Sequence, residues 1–421
     1  MNLNSNKWEG QFQFRINKKN GETEEAKVNN NLADEGEQDF LNTCLCGGTD
    51  GDRTLGKSSK NYFRMRLFND TPVDTDSISD ITGELAEEDG YEPIEIIRDN
   101  ANWFVGRSYT MAQGSNKDLF FFDKNGHDDV TVALVDTGSL TISVSTHDVT
   151  INIDAGVTTA TEIRNAVLSD DDAKALLICE LADGQDGTGT PAAFAETDLD
   201  GVPYAISAYQ RFTASADWDP VDYVTLSLVL PGSFDPSERL IAYAAVPGGP
   251  NLSLLDGESL DIRYRIKVPF LGWEGAKALL ETYFQGGVDG DTVSYNSSFG
   301  EFHVRLFNDT PTNTDTLSTL TGEPDATGND TGYEPMVIQR NDTDSGWTLT
   351  FPAGNYVATS AVVRFINTGD PDESDWDSVT YSVLTLDIGD YEFVLDYDAL
   401  AGATVLEPGE SLLVDYAETL G

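Results

Sequence analysis

The sequence predicts a mainly β protein built from two tandem, duplicated antiparallel β-sandwich modules. Each carries a short helix, and a small α+β domain is inserted in the first. Three observations predict this. Short runs of alternating apolar and polar residues recur between turns rich in Gly, Pro, Asn and Asp. A long series of landmarks appears twice in register. That register holds to within a few residues except for one break of about 90, inside the first copy.

The repeat is most exact at Arg66-Leu67-Phe68-Asn69-Asp70-Thr71-Pro72, which returns unchanged as Arg305-Leu306-Phe307-Asn308-Asp309-Thr310-Pro311, 239 residues later. The same offset holds upstream, where Gly47-Gly48-Thr49-Asp50-Gly51-Asp52 matches Gly286-Gly287-Val288-Asp289-Gly290-Asp291. Downstream, Ile81-Thr82-Gly83-Glu84 matches Leu320-Thr321-Gly322-Glu323, and Gly90-Tyr91-Glu92-Pro93 matches Gly332-Tyr333-Glu334-Pro335. Trp218-Asp219 then aligns with Trp376-Asp377, and Gly257-Glu258-Ser259-Leu260 with Gly409-Glu410-Ser411-Leu412. The offset falls from 242 to 152 on the way, so the first copy carries a guest segment.

Taken in order, residues 8–16 alternate like a half-buried strand, and Asn20-Gly21 turns the chain into a second strand toward Val28. Residues 34–45 and 273–284 read as the short helix of each copy, each stopped by a Gly pair. FRMRLF and FHVRLF are strands, each followed by a long polar loop, a Glu-Pro and a further strand. Tyr223 to Leu230, Tyr381 to Leu386, Leu260 to Ile266 and Leu412 to Tyr416 complete the modules. In the guest, Val130 to Val135, Leu140 to Val144 and Val149 to Ile153 are β runs. Thr159 to Leu168 is a helix with a Thr at its start, and Ala175 to Leu181 is a last strand. The boundaries that follow are an N-terminal hairpin at 1–29, a discontinuous first module at 30–111 and 206–268, the insert at 112–205, and the second module at 269–421.

Charge narrows the function classes. Acidic residues number 73 and basic ones 25, giving a formal net charge of −48. Such a body is repelled by a nucleic-acid backbone and by an anionic membrane, which argues against both as partners. Aromatic residues still make up 10% of the chain, more than a disordered acidic tail carries. In molar salt the Debye length is about 3 Å and the self-repulsion is largely screened. The excess of 47 Asp over 26 Glu, with 11 Lys, resembles proteins of salt-loving archaea.

Candidate chemistry is sparse. Asp50, Asp52, Asp289 and Asp291 in the repeated GGxDGD element offer carboxylates to a hard cation, Ca²⁺ or Mg²⁺. The same Gly-Asp spacing also serves a helix-terminating turn. Asn-Asp-Thr-Pro reads as an Asx-type turn ending a strand, and Tyr91 and Tyr333 as core or interface anchors. The three histidines, His127, His147 and His303, stand in no nucleophile or metal motif. His303 occupies the position that Arg64 holds in the first copy. Cys44, Cys46 and Cys179 form no framework. No catalytic residue and no cofactor follow from these patterns.

The run from Asn31-Leu32-Ala33-Asp34-Glu35-Gly36 through Phe63-Arg64-Met65-Arg66-Leu67-Phe68-Asn69-Asp70-Thr71-Pro72, Ile81-Thr82-Gly83-Glu84 and Gly90-Tyr91-Glu92-Pro93 resembles a loosely defined group of structural proteins of tailed viruses. The insert, from Asp128-Asp129-Val130-Thr131-Val132 to Asp183-Gly184-Gln185-Asp186-Gly187-Thr188-Gly189, is similar to a small module scattered through phage virion proteins. With the acidic composition, the resemblance implies a tailed virus of a salt-loving archaeon. It implies a non-enzymatic virion protein that self-associates and decorates the capsid or forms a vertex turret, with the major capsid protein among its partners. A tail, baseplate or fibre component is the first alternative. A host-surface carbohydrate-binding adhesin or hydrolase, with Phe120-Phe121-Phe122 as its aromatic cluster and a glycan as partner, is the second.

Overall fold

The computed structural model describes residues 9–29, 31–32, 62–86, 90–99, 101–127, 129–218, 220–230, 237–248, 252–267, 301–312, 315–324, 333–339, 346–350, 357–367, 376–387, 392–406 and 410–419. The chain is mainly β, with several antiparallel sheets, and divides into two compact units. One unit comprises 1–103 and 207–421; the other is Phe104–Ile206. The expected helices at 34–45 and 273–284 lie outside the described residues.

In the larger unit, the first copy opens with the hairpin Glu9–Asn17 and Thr23–Asn29, turned at Gly21 with φ of +85°. A Cβ is strained at that φ, so glycine serves there. Strand Ser259–Lys267 pairs along the whole outer side of Glu9–Asn17, with Phe12 opposite Tyr264, Phe14 opposite Ile262 and Ile16 opposite Leu260. All six are buried, as the alternation in residues 8–16 requires. Gln210–Thr213 joins the other edge of Ser259–Lys267. A second sheet runs in the order Asn31–Leu32, Ser237–Ala245, Tyr223–Leu230, Tyr62–Phe68, Ile94–Ile97, antiparallel throughout.

The second copy repeats these pairings. Glu301–Phe307 lies between Met336–Gln339 and Trp376–Asp387, as Tyr62–Phe68 lies between Ile94–Ile97 and Tyr223–Leu230. Glu392–Leu406 follows as Ser237–Ala245 does. Contacts recur with the register. Phe63 meets Trp103 at 4.9 Å and Phe302 meets Trp347 at 5.3 Å between ring centroids. Tyr91 stacks on Phe212 at 6.0 Å, and Tyr333 on Phe365 at 6.1 Å. The Tyr264 amide donates to Ser207 Oγ at 2.9 Å, and the Tyr416 amide to Ser360 Oγ at 2.9 Å. The copies differ at their last strand. Ser259–Lys267 is continuous, whereas its counterpart is split into Ser411–Val414 and Ala417–Thr419, which pair with different neighbours.

The smaller unit has its own core. Strand Asp148–Ile153 is parallel to Thr131–Asp136 and antiparallel to Thr141–Ser145, while Phe194–Asp198 covers the other edge of Thr131–Asp136. The parallel pair is connected through the edge strand Thr141–Ser145 rather than through the usual crossover helix. A second sheet holds Leu177–Leu181, Leu119–Asp123 and Ser108–Thr110. Helix α1 (Ala160–Ser169) starts at Thr159 in a complete capping box with Glu162, and buries Ala160, Ile163 and Val167. The strand expected from Ala175 begins at Leu177, and it is not the last, since Phe194–Asp198 follows it. Helix α2 (Asp171–Leu176) takes the residues before Leu177, because the Asp170 side chain accepts from the Ala173 amide at 2.9 Å and restarts a helix. Phe121, Leu134, Ile151, Ile163 and Leu177 meet in the core.

Candidate functional site

The sequence repeats converge on one arrangement, made twice. Strand Tyr62–Phe68 brings Arg66 beside Glu238 of the neighbouring hairpin, and the guanidinium binds both carboxylate oxygens at 3.0 and 2.8 Å. Its third nitrogen donates to Glu84 at 2.7 Å. The Tyr91 hydroxyl donates to Glu84 at 2.9 Å and accepts the Leu67 amide at 3.0 Å. Ile94–Ile97 stops pairing at Met65, so that hydroxyl takes the place of the next ladder carbonyl. In the second copy, Arg305 binds Glu392 at 2.8 and 2.7 Å and Glu323 at 2.8 Å. Tyr333 donates to Glu323 at 2.9 Å and accepts the Leu306 amide at 3.0 Å.

The loop between these residues is held at its neck. The Asn69 amide donates to Gly83 at 2.9 Å, and Asn308 to Gly322 at 3.0 Å. Thr82 donates to Asp70 at 2.6 Å and Thr321 to Asp309 at 2.8 Å, which keeps both exposed carboxyls below the ordinary aspartate range. Gly83 and Gly322 have φ of +74° and +76°, and a Cβ on either collides with the facing Asn side chain. The residues of RLFNDTP, TGE and GYEP therefore form a clasp that ties a polar loop to a sheet. Arg66 and Arg305 are saturated by carboxylates, and both tyrosine hydroxyls are raised by burial well above their ordinary range. This is an anchor in which both arginines and both tyrosine hydroxyls are engaged.

Beside the clasp the copies diverge. In the first, Arg64 donates to Glu238 and Glu95, both at 3.1 Å. In the second, His303 stands in that place, its Nδ1 3.1 Å from Glu392 Oε1. Its Nε2 lies 4.0 Å from Asp387 Oδ2 and 4.0 Å from Glu301 Oε2. Asp387 and Glu301 face each other across the strand pair, where the first copy has Val229 and Tyr62. The hydrogen bond to Glu392 raises the imidazole above its ordinary value, against burial. Burial pushes the Glu392 carboxyl up, but bonds from His303, Arg305 and Thr385 outweigh this and hold it well below the carboxylate range.

The smaller unit holds a second histidine group. His127 and His147 stack at 4.0 Å between ring centroids, and His147 Nδ1 meets Asp129 at 2.5 Å. Fully buried Asp123 accepts the Asn125 amide at 2.9 Å and the His127 amide at 2.5 Å. Burial raises its carboxyl. Cys179 is buried in the core, and its thiol is pushed up to about 12, so it is unreactive. Phe120, Phe121 and Phe122 are all buried and offer no ring to a glycan.

The sequence-derived cation ligands Asp50, Asp52, Asp289 and Asp291 lie outside the described residues, as do Cys44 and Cys46. The cluster of His303, Asp387 and Glu392 was hidden in the sequence, since its members are up to 89 residues apart. Its one signal is the replacement of Arg64 by His303 within an otherwise repeated strand. No protein-family model, no curated protein and no solved structure matches the chain.

Proposed function

We propose that this chain is a non-enzymatic structural protein of a tailed virus particle, a self-associating block of two sandwich modules that decorates the capsid surface or builds a vertex turret. The observation that carries the reading is the twin clasp. The residues repeated most exactly between the copies are used to fasten a loop to a sheet, and none of them lines a reactive centre. A module selected for rigid presentation of loops is suited to assembly with further copies and with the major capsid protein. The net charge of −48 suits a particle surface bathed in concentrated salt.

Quantitative mass spectrometry of gradient-purified particles tests the reading through the copy number relative to the major capsid protein. Multiples of sixty, or five per vertex, support decoration or a turret. Three, six or twelve copies move the protein to the tail or baseplate. Absence from intact particles refutes the virion role and reopens the host-surface adhesin or hydrolase.

A further inference from the structure

We propose that the second module binds one divalent transition-metal cation of the Zn²⁺ class through His303 Nε2, Asp387 and Glu301, and that the first module has lost or never had the equivalent site. The inference is independent of the virion reading.

The strand register places the donors. His303 and Glu301 are two apart on Glu301–Phe307 and so share one face of the sheet, and Asp387 is the cross-strand partner of Glu301. Glu301 Oε1 accepts from Gln339 Nε2 at 2.9 Å, which turns Oε2 toward the imidazole. Two donors each about 2.1 Å from one zinc ion stand at most about 4.2 Å apart, and about 3.4 Å apart in tetrahedral geometry. Each observed 4.0 Å gap from Nε2 to a carboxylate oxygen therefore needs a contraction of about half an ångström, and the Glu301 and Asp387 oxygens must also be drawn together around the ion. The partly exposed Glu301 and Asp387 side chains, at 47% and 32%, can make that movement while the His303 side chain, at 15%, stays fixed.

The orientation of the ring is already set. Glu392 Oε1 accepts the Nδ1 hydrogen, so the neutral imidazole carries its lone pair on Nε2, aimed at the two carboxylates. Carboxylates that fix the far nitrogen of a metal-bound histidine act in this way. Glu392 is occupied by Arg305, His303 and Thr385 and remains an outer partner.

The comparison between copies supplies the second argument. In the first module a permanent cation, Arg64, sits among Glu238, Glu95 and Tyr62. In the second that cation is replaced by an imidazole while Glu301 and Asp387 are added, and Val337 takes the place of Glu95. Negative charge has been gathered around a ligand that binds metals when neutral. A mixed nitrogen and carboxylate set favours Zn²⁺ over Ca²⁺ and Mg²⁺, which prefer all-oxygen shells.

The test uses the full chain in molar KCl with excess Mg²⁺, which occupies unspecific carboxylates. Zn²⁺ binding is measured by equilibrium dialysis, and its shell by X-ray absorption. One tightly held Zn²⁺ per chain with an imidazole nitrogen in its shell is expected. Asp387→Asn and His303→Gln, each checked for native circular dichroism, should weaken it at least tenfold, while Glu95→Gln leaves it unchanged. A shell without imidazole in the unaltered protein overturns the proposal, whatever the variants do. So does Zn²⁺ retained equally by His303→Gln, which places the ion elsewhere, such as at Asp50, Asp52, Asp289 and Asp291. Absence of stoichiometric binding overturns it as well.

Discussion

Replacing Tyr91 by Phe removes one oxygen and tests the clasp directly. That oxygen accepts the amide of Leu67, a residue with 0% exposure, and donates to Glu84. The phenyl ring keeps its stacking on Phe212, so packing is preserved. An amide left without a partner in a dry site costs about 1–3 kcal/mol. The bond to Glu84 adds less, because that side chain is 30% exposed and water replaces the donor. Tyr91→Phe should therefore destabilise by about 2–3 kcal/mol, or roughly 5–10 °C in the melting temperature of a module of this size. The second copy offers a replicate within the same molecule. Tyr333 makes both bonds at the same 3.0 and 2.9 Å, so Tyr333→Phe should cost the same to within about 0.5 kcal/mol. Urea unfolding in molar salt, followed by tryptophan fluorescence, reads both, since Trp103 and Trp347 are fully buried. Losses below about 0.5 kcal/mol in both variants would refute the clasp as a stabilising element.

Three further outcomes are expected. Gly322→Ala should cost at least about 2 kcal/mol in thermal unfolding, because its Cβ falls 1.6 Å from Asn308 Oδ1 at a φ of +76°; a neutral result means the neck is not held as described. Burial opposes ionisation of Glu238, but bonds from Arg66 and Ser227 outweigh it and depress its pKa below the ordinary 4.5. The stability it contributes is thus fully present above that value and lost as pH falls through the lower folded value. Stability of the wild type in molar salt should accordingly approach that of Glu238→Gln below pH 4.5, and a constant gap down to pH 2 contradicts the assignment. The charge of −48 predicts loss of structure or assembly when salt falls from 1 M to 0.1 M, where the Debye length grows to about 10 Å; unchanged melting and sedimentation at 0.1 M defeat that expectation.

The sequence by itself determined the mainly β character, several of the strands and the internal repeat, but it left strands such as Ser237–Ala245 and Glu392–Leu406 unread. Each feature it determined is a one-dimensional signal: the alternation of Phe12, Phe14 and Ile16, the recurrence of RLFNDTP, and one long break in an otherwise nearly constant register. It also led to Asn69 as a turn residue and Tyr91 as an anchor, since identical residues in both copies answer to identical backbone demands, whereas the need for Gly83 appeared only with its φ of +74°. It did not reveal the partners of Arg66 and Arg305. Among 73 acidic residues, nothing marks Glu238 and Glu392 before the hairpins lay them across the strand. Helix α2 was missed because Asp170 reads as a surface acid until its side chain is seen to accept an amide. The tertiary structure alone decided that His303 meets Asp387, Glu392 and Glu301. Pairing of strands distant in sequence creates that cluster, and no spacing along the chain encodes it.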